Sequence, residues 1–99
     1  MEAQAFLVVE ATPNPDNADD MQKYGSQSYA IMAKHGGEPA ANYKVQSVMD
    51  LGEKPAMIGV FSFPSAEAIN GMVNDPEYLA IVPFRNRAFS NIRLFVCGG

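Results

Sequence analysis

Proline and glycine cut this 99-residue chain into short pieces, and the placement of the cuts limits its fold more than any other feature. Pro13-Asn14-Pro15, Gly36-Gly37, Gly52 with Pro55, Pro64, and Asn74-Asp75-Pro76 separate segments that each carry one clear apolar period. Proline cannot donate to a ladder or continue a helix, and glycine ends helices in the left-handed conformation. Each piece is therefore one element, and its period says which kind: two for a strand, 3.6 for a helix.

Residues 5–12, AFLVVEAT, are β-branched and aromatic and read as a strand that Pro13 stops. Residues 17–34 are the longest helical candidate, with Met21, Tyr24, Ser28, Ile31 and His35 three or four apart and Met32 beside them. Asp16 or Asn17 caps its start, Asp19 and Asp20 suit the positive end of its dipole, and Lys34 and His35 the negative end. Gly36-Gly37 supplies a left-handed C-cap. Residues 43–51 alternate polar and apolar and predict a half-exposed strand. Residues 52–55 then form a turn, and 56–63, almost wholly apolar, form a central strand paired with it as a hairpin. Ser65 caps a second helix whose apolar face is Ala68, Ile69, Met72 and Val73. Residues 77–88 read as a short helix interrupted near Pro83, and 91–97 as a last strand with Ile92, Leu94 and Val96 facing one way.

The order is β-α-β-β-α-β. Right-handed crossovers then put two helices on one face of a four-stranded antiparallel sheet, the ferredoxin-like α+β fold, over a single domain spanning 1–99. The other sheet face, with Phe95 on it, is left bare. An apolar sheet face on a small protein marks an interface, so a homodimer through that open face is expected.

Composition removes whole classes of function. Apolar residues make up 47% of the chain, which suits a globular protein rather than a disordered one, and a chain this size buries roughly 65% of its unfolded surface. Seven basic residues against eleven acidic give a net charge of −4. That balance argues against nucleic acid and against an acidic membrane surface, because Arg85, Arg87 and Arg93 are too few for a basic stripe. Cys97 has no partner for an internal disulfide, and with His35 it makes too small a set for a structural metal site. No apolar run is long enough to span a bilayer and no signal peptide is evident, so a cytoplasmic protein is expected. The RNA-recognition octamer, the C-x-x-C of copper carriers and a phosphate-cradling glycine loop are all missing from the positions this topology would give them.

Lys34-His35-Gly36-Gly37, Phe63-Pro64-Ser65 followed by Ala68, Asn74-Asp75-Pro76-Glu77-Tyr78, and Pro83-Phe84-Arg85-Asn86-Arg87-Ala88 occur in that order. Together they resemble the bacterial family called domain of unknown function 1330, over about residues 6–96. The resemblance implies a dimeric α/β barrel, two ferredoxin-like subunits packed through their sheets. Relatives in that wider group include cofactor-independent quinone-forming monooxygenases, muconolactone isomerase and dye-decolourising peroxidases. The chain departs from the family pattern at three places. Leu51 stands where an acid usually precedes the hairpin glycine, with Asp50 one residue off; Ser62 stands where Glu usually precedes Phe-Pro; and Met72 replaces an aromatic at the end of the second helix.

His35 is the one histidine and the only side chain whose unperturbed titration lies near neutrality. It is either a general base at a pocket mouth or a dipole partner at a helix end. Arg85 either anchors an anionic substrate in its guanidinium fork or, like Arg87, pairs with Glu77, Asp75 or Glu10. Glu10 shares a strand face with Phe6 and Val8, where an acid acts as a base or pairs with an arginine. Tyr24 and Tyr78 donate hydroxyls to a cavity or pack with the hydroxyl outward. His35 and Arg85 are thus the catalytic candidates, and Tyr24, Tyr78, Glu10, Asp50 and Arg87 the ligand-binding ones. Neither a metal nor an organic cofactor is expected. Two functions fit: a cofactor-independent enzyme, monooxygenase- or isomerase-like, acting on a small anionic or aromatic molecule, and a non-catalytic dimeric module that binds a small ligand.

Overall fold

The computed structural model describes residues 4–98. Four strands, β1 (Ala5–Pro13), β2 (Glu38–Lys44), β3 (Met57–Phe63) and β4 (Phe89–Gly98), form one sheet in the order β2-β3-β1-β4. Every pairing is antiparallel. Helices α1 (Ala18–Lys34), α2 (Ala66–Val73) and α3 (Pro76–Ala88) lie on one face, and a short 3-10 turn, Pro15–Asn17, leads into α1. The molecule is only 17 Å across in its thin direction, the depth of one helix layer on one sheet.

Strand alternation decides which side chains meet the helices. Ala5, Leu7 and Ala11 of β1 are buried, and the register sets Leu7 between Phe61 and Val96, and Val9 between Gly59 and Leu94. Phe63, Ile31, Met32, Ile69, Met72, Tyr78 and Ile81 complete the core on this side. The opposite face carries Phe6, Val8 and Glu10 with Val60, Ile58 and Phe95, and no element among the described residues covers it.

The stop of α1 follows from its glycines. Gly36 takes φ +83°, its N–H bonds the Ala33 carbonyl at 3.1 Å, and the Gly37 N–H bonds the Met32 carbonyl at 2.9 Å. This is a Schellman cap. Gly37 is required for space as well: a Cβ there would lie 2.5 Å from both the Met32 side chain and the Phe63 ring. Ser65 caps α2 through the Ala68 N–H as its sequence implies. Asn17 stands at the α1 N-cap, but its amide donates to the Arg87 carbonyl instead of capping.

Two elements differ from the sequence reading. The second strand is Glu38–Lys44, directly after the helix cap, and residues 45–56 are a long loop in which Met49 and Leu51 are fully exposed. β3 is seven residues long, so Lys44 opposite Met57 uses up its edge; one further bond, from the Val45 N–H to the Ala56 carbonyl at 3.0 Å, follows before the chain leaves the sheet. Pro39, second in this edge strand, sits beside a register shift, where a missing N–H is tolerated. Residues 77–88 are one helix with 76, and Pro83 does not interrupt it. Pro83 and Leu79 are on the solvent side, so the Leu79 carbonyl that loses its donor can be hydrated while Tyr78, Ile81 and Ala88 stay buried on the other side.

Candidate functional site

A cavity of about 540 Å³ lies between α1 and the helix-facing side of the sheet. Its roof is a single stripe of α1: Met21, Tyr24, Gly25, Ser28, Tyr29 and Met32, at spacings of three and four. Its floor is the middle of the sheet, including Val9, Gly59 and Leu94. The cavity exists because small residues meet small residues. Gly25 in the roof would place a Cβ in open space with nothing within 4 Å, and Gly59 in the floor has no side chain. Exposed Met21, Tyr29 and Asn42 stand at the mouth.

Most of the wall is apolar; two of its tyrosines bond each other, and Arg85, outside the lining, bonds one of them. The Tyr24 and Tyr78 hydroxyls are 2.8 Å apart and buried, and Arg85 Nη1 donates to the Tyr78 oxygen at 3.0 Å. Burial pushes the Tyr24 pKa far above the usual tyrosine range; Tyr78 adds to the rise and Arg85 opposes it. Tyr24 therefore keeps its proton and acts as a hydrogen-bond partner, not as a base. Among the described residues no carboxylate forms an ion pair with Arg85. Its charge is turned to the tyrosine pair instead.

The other candidates lie elsewhere. His35 is the C-cap residue of α1 and lines no cavity described here; its Nε2 donates to Asp75 Oδ2 at 2.8 Å, and its ring packs against Gly71 of α2. Arg87 pairs with Asp20 on the surface through Nε and Nη2, at 3.2 and 3.3 Å. Glu10 is on the open sheet face, opposite Arg93 of β4. Asp50 is in the exposed loop and accepts from the Gly52 N–H at 2.9 Å. Of the residues singled out from sequence, the fold thus gathers Tyr24, Tyr78 and Arg85 and leaves His35, Glu10, Asp50 and Arg87 apart. Gly25, Ser28, Gly59 and Asn42 line the cavity without having been singled out as ligand-binding. Gly25 and Ser28 had a signal in the small residues on the inner stripe of α1; Asn42 on β2 and Gly59 on β3 had none. Among the described residues no cluster of three or more His, Cys, Asp or Glu side chains is placed to hold a metal ion.

Asp75 ties three helices. It caps α3 through the Glu77 N–H at 2.9 Å, accepts from Lys34 Nζ at 2.9 Å and from His35 at the end of α1, and its own N–H bonds the Met72 carbonyl of α2. The His35 and Lys34 hydrogen bonds and the Glu77 N–H hold its carboxyl well below the ordinary aspartate range, against a smaller opposing effect of burial. A depressed carboxyl contributes stability that is complete above the unfolded value, about 3.9, and is lost as pH falls through it towards the lower folded value. Asp75→Asn keeps an oxygen for the cap but offers His35 and Lys34 no charge. Urea titrations are expected to show lower stability for the variant at pH 7, with the gap to the parent narrowing between about pH 5 and pH 2. A constant gap would remove the Asp75 carboxylate from the account.

The model of the domain of unknown function DUF1330 matches residues 4–99. The chain belongs to that family. No curated protein matches this DUF1330 chain. Solved structures share its fold. A protein of unknown function from Rhodopseudomonas palustris aligns with a TM-score of 0.81 at 20% identity, covering 100% of this chain and 84% of that one. A cofactor-independent oxygenase from Streptomyces nogalater aligns at 0.66 and 11%, covering 98% and 93%. A dimeric protein of unknown function and ferredoxin-like fold from Bacteroides fragilis aligns at 0.65 and 13%, covering 97% and 96%. At these identities the likeness is one of fold. No helix among the described residues is long and apolar enough to cross a membrane.

Proposed function

We propose that residues 1–99 act as one domain, that two copies pair through the open sheet faces in the cytoplasm, and that each copy works on a small, mostly apolar molecule held under α1. The observation that carries this reading is the bonded Tyr24–Tyr78 pair in the wall of a mostly apolar cavity, with Arg85 behind Tyr78. The protonated Tyr24 hydroxyl, bonded to Tyr78 and backed by a guanidinium, suits a carbonyl or phenol oxygen that gains negative charge during reaction. The reaction class is cofactor-independent oxygenation or isomerisation, with Tyr24 as the hydrogen-bond donor to the substrate, Tyr78 donating to Tyr24, and Arg85 as the group that orients Tyr78. The oxygenase of like fold supports the first of these chemistries. In this arrangement water takes the proton from a substrate acidic enough to release it, since His35 is committed to Asp75 at the helix junction.

That same placement of His35 favours a second reading, a dimeric binding module without turnover. Native mass spectrometry of gently purified protein tests both. A dimer carrying a defined extra mass is expected, and Gly25→Leu, whose side chain enters the cavity from a helix that prefers leucine to glycine, is expected to remain folded and lose that mass. Retention of the mass by Gly25→Leu would sink the cavity assignment. Incubating the identified compound with the protein in air then separates the readings: conversion that falls at least tenfold in Tyr24→Phe supports the enzyme, and an unchanged compound supports the binding module.

A further inference from the structure

Behind Tyr78 lies a second cavity of about 430 Å³, between helices α2 and α3 and strands β1 and β4. Leu7, Ile69, Val82 and Leu94 make its walls, exposed Leu79 and Val96 flank it, and among the described residues Arg85 is its one charged lining residue. Nothing in the reading of the first cavity uses this space.

Arg85 arrives there with unused hydrogen-bonding capacity. A guanidinium carries five N–H hydrogens. One, on Nη1, goes to the Tyr78 hydroxyl at 3.0 Å. The Nε is buried without any partner, and among the described residues no carboxylate pairs with the side chain. A half-buried cation against apolar walls, with an orphaned donor and no counter-charge, is unfavourable until an anion is supplied. The edge formed by Nε and the second Nη presents two parallel hydrogens, the spacing a carboxylate accepts. A carboxylate on that edge leaves the Nη1 bond to Tyr78 intact. The apolar walls and the single positive charge suit a singly charged head on an apolar body, rather than a multiply charged and strongly hydrated phosphate. The net charge of −4 means that no general positive field draws anions to this protein, so binding must come from Arg85 itself.

We infer that the second cavity receives an amphiphilic monocarboxylate, with its carboxylate on Arg85 and its aliphatic or aryl body against Leu7, Ile69, Val82 and Leu94. Calorimetry on the full chain with octanoate and 1-octanol tests it. Octanoate is expected to bind once per chain and about tenfold more tightly than 1-octanol. Arg85→Gln is expected to erase that preference by weakening octanoate while leaving 1-octanol little changed. Arg85→Lys, which keeps the charge and loses the fork, should fall between them and serves in place of the glutamine variant if that one fails to fold. Gly25→Leu, which fills only the first cavity, should bind octanoate as the parent does. Equal binding of octanoate and octanol, no octanoate binding, octanoate binding that survives in Arg85→Gln, or its loss in Gly25→Leu would each overturn the inference. The co-purified mass that tests the first cavity is read separately, so either result stands without the other.

Discussion

Phe63→Ala is expected to remove about 3–5 kcal/mol of stability, and Phe61→Ala, two residues earlier on the same strand face, well under half of that. The two rings share a chemistry and a sheet face, and differ only in what surrounds them. Phe63 is 1% exposed and packs where Gly37 brings the backbone to within a methyl's width of its ring. Deleting it leaves a void that neither β3 nor the α1 cap can close, because Gly37 and Met32 are fixed by the hydrogen bonds of that cap. Phe61 lines the first cavity and meets Tyr29 edge-on with ring centroids 5.9 Å apart, so one side of it already faces open space. Truncating it enlarges an existing cavity and loses fewer contacts. A domain of this size holds about 5–15 kcal/mol in total, so Phe63→Ala should lower Tm by on the order of 20 °C. Urea unfolding of the two variants checks the pair. Equal losses would mean that the space under α1 closes around Phe61, and that the cavity is not a property of the folded protein.

That contrast also explains how far sequence alone reaches. The ends of α1 and α2 were readable because caps are local: Gly36-Gly37 and Ser65 act on groups within a few residues. Strands β1, β3 and β4 were readable because their apolar residues are held by the core on one side. β2 escaped for the converse reason. It is an edge strand of small and polar residues, EPAANYK, almost wholly exposed, and its position is set by the length of β3 and by the two-residue exit from the α1 cap. The more persuasive alternation at 43–51 has no partner strand behind most of it. Pro83 misled in a similar way, since the cost of one lost hydrogen bond is local while the burial of Tyr78, Ile81 and Ala88 that outweighs it is tertiary.

For the site, residue type was informative and location was not. Tyr24, Tyr78 and Arg85 were legible as chemistry, but their meeting depends on α1 crossing α3, which no local pattern encodes. His35 illustrates the reverse: the helix-end glycines next to it were the better guide to its place, at the α1 C-cap against Asp75. The cavity itself is an absence of side chains, Gly25 facing the Gly59 region of the sheet, and becomes visible only when the two elements are seen stacked.

The largest effect on assembly is expected from Val8→Asp. Val8 sits in the middle of the open sheet face, paired with Val60 on one side and Phe95 on the other, with Phe6 and Ile58 on the same face. Two copies meeting there would cover these side chains, and a two-fold axis would bring each copy's Val8 close to the same region of its partner. Arg93, stacked over Phe95 at 4.8 Å and opposite Glu10, borders the patch and supplies the polar rim that interfaces of this kind carry. An unpaired carboxylate in the centre of a closed apolar interface costs about 3–5 kcal/mol for one copy, and the symmetric dimer contains two. The dissociation constant should therefore rise by more than about 100-fold. In the isolated subunit residue 8 faces solvent on an uncovered sheet face, so the variant's circular dichroism should match the parent's while its sedimentation drops from dimer to monomer. The cavity under α1 opens on the other side of the sheet, so the monomeric variant should still carry the small molecule that the parent carries. A parent that sediments as a monomer, or a Val8→Asp variant that remains a dimer, would mean that something other than a second copy covers this face.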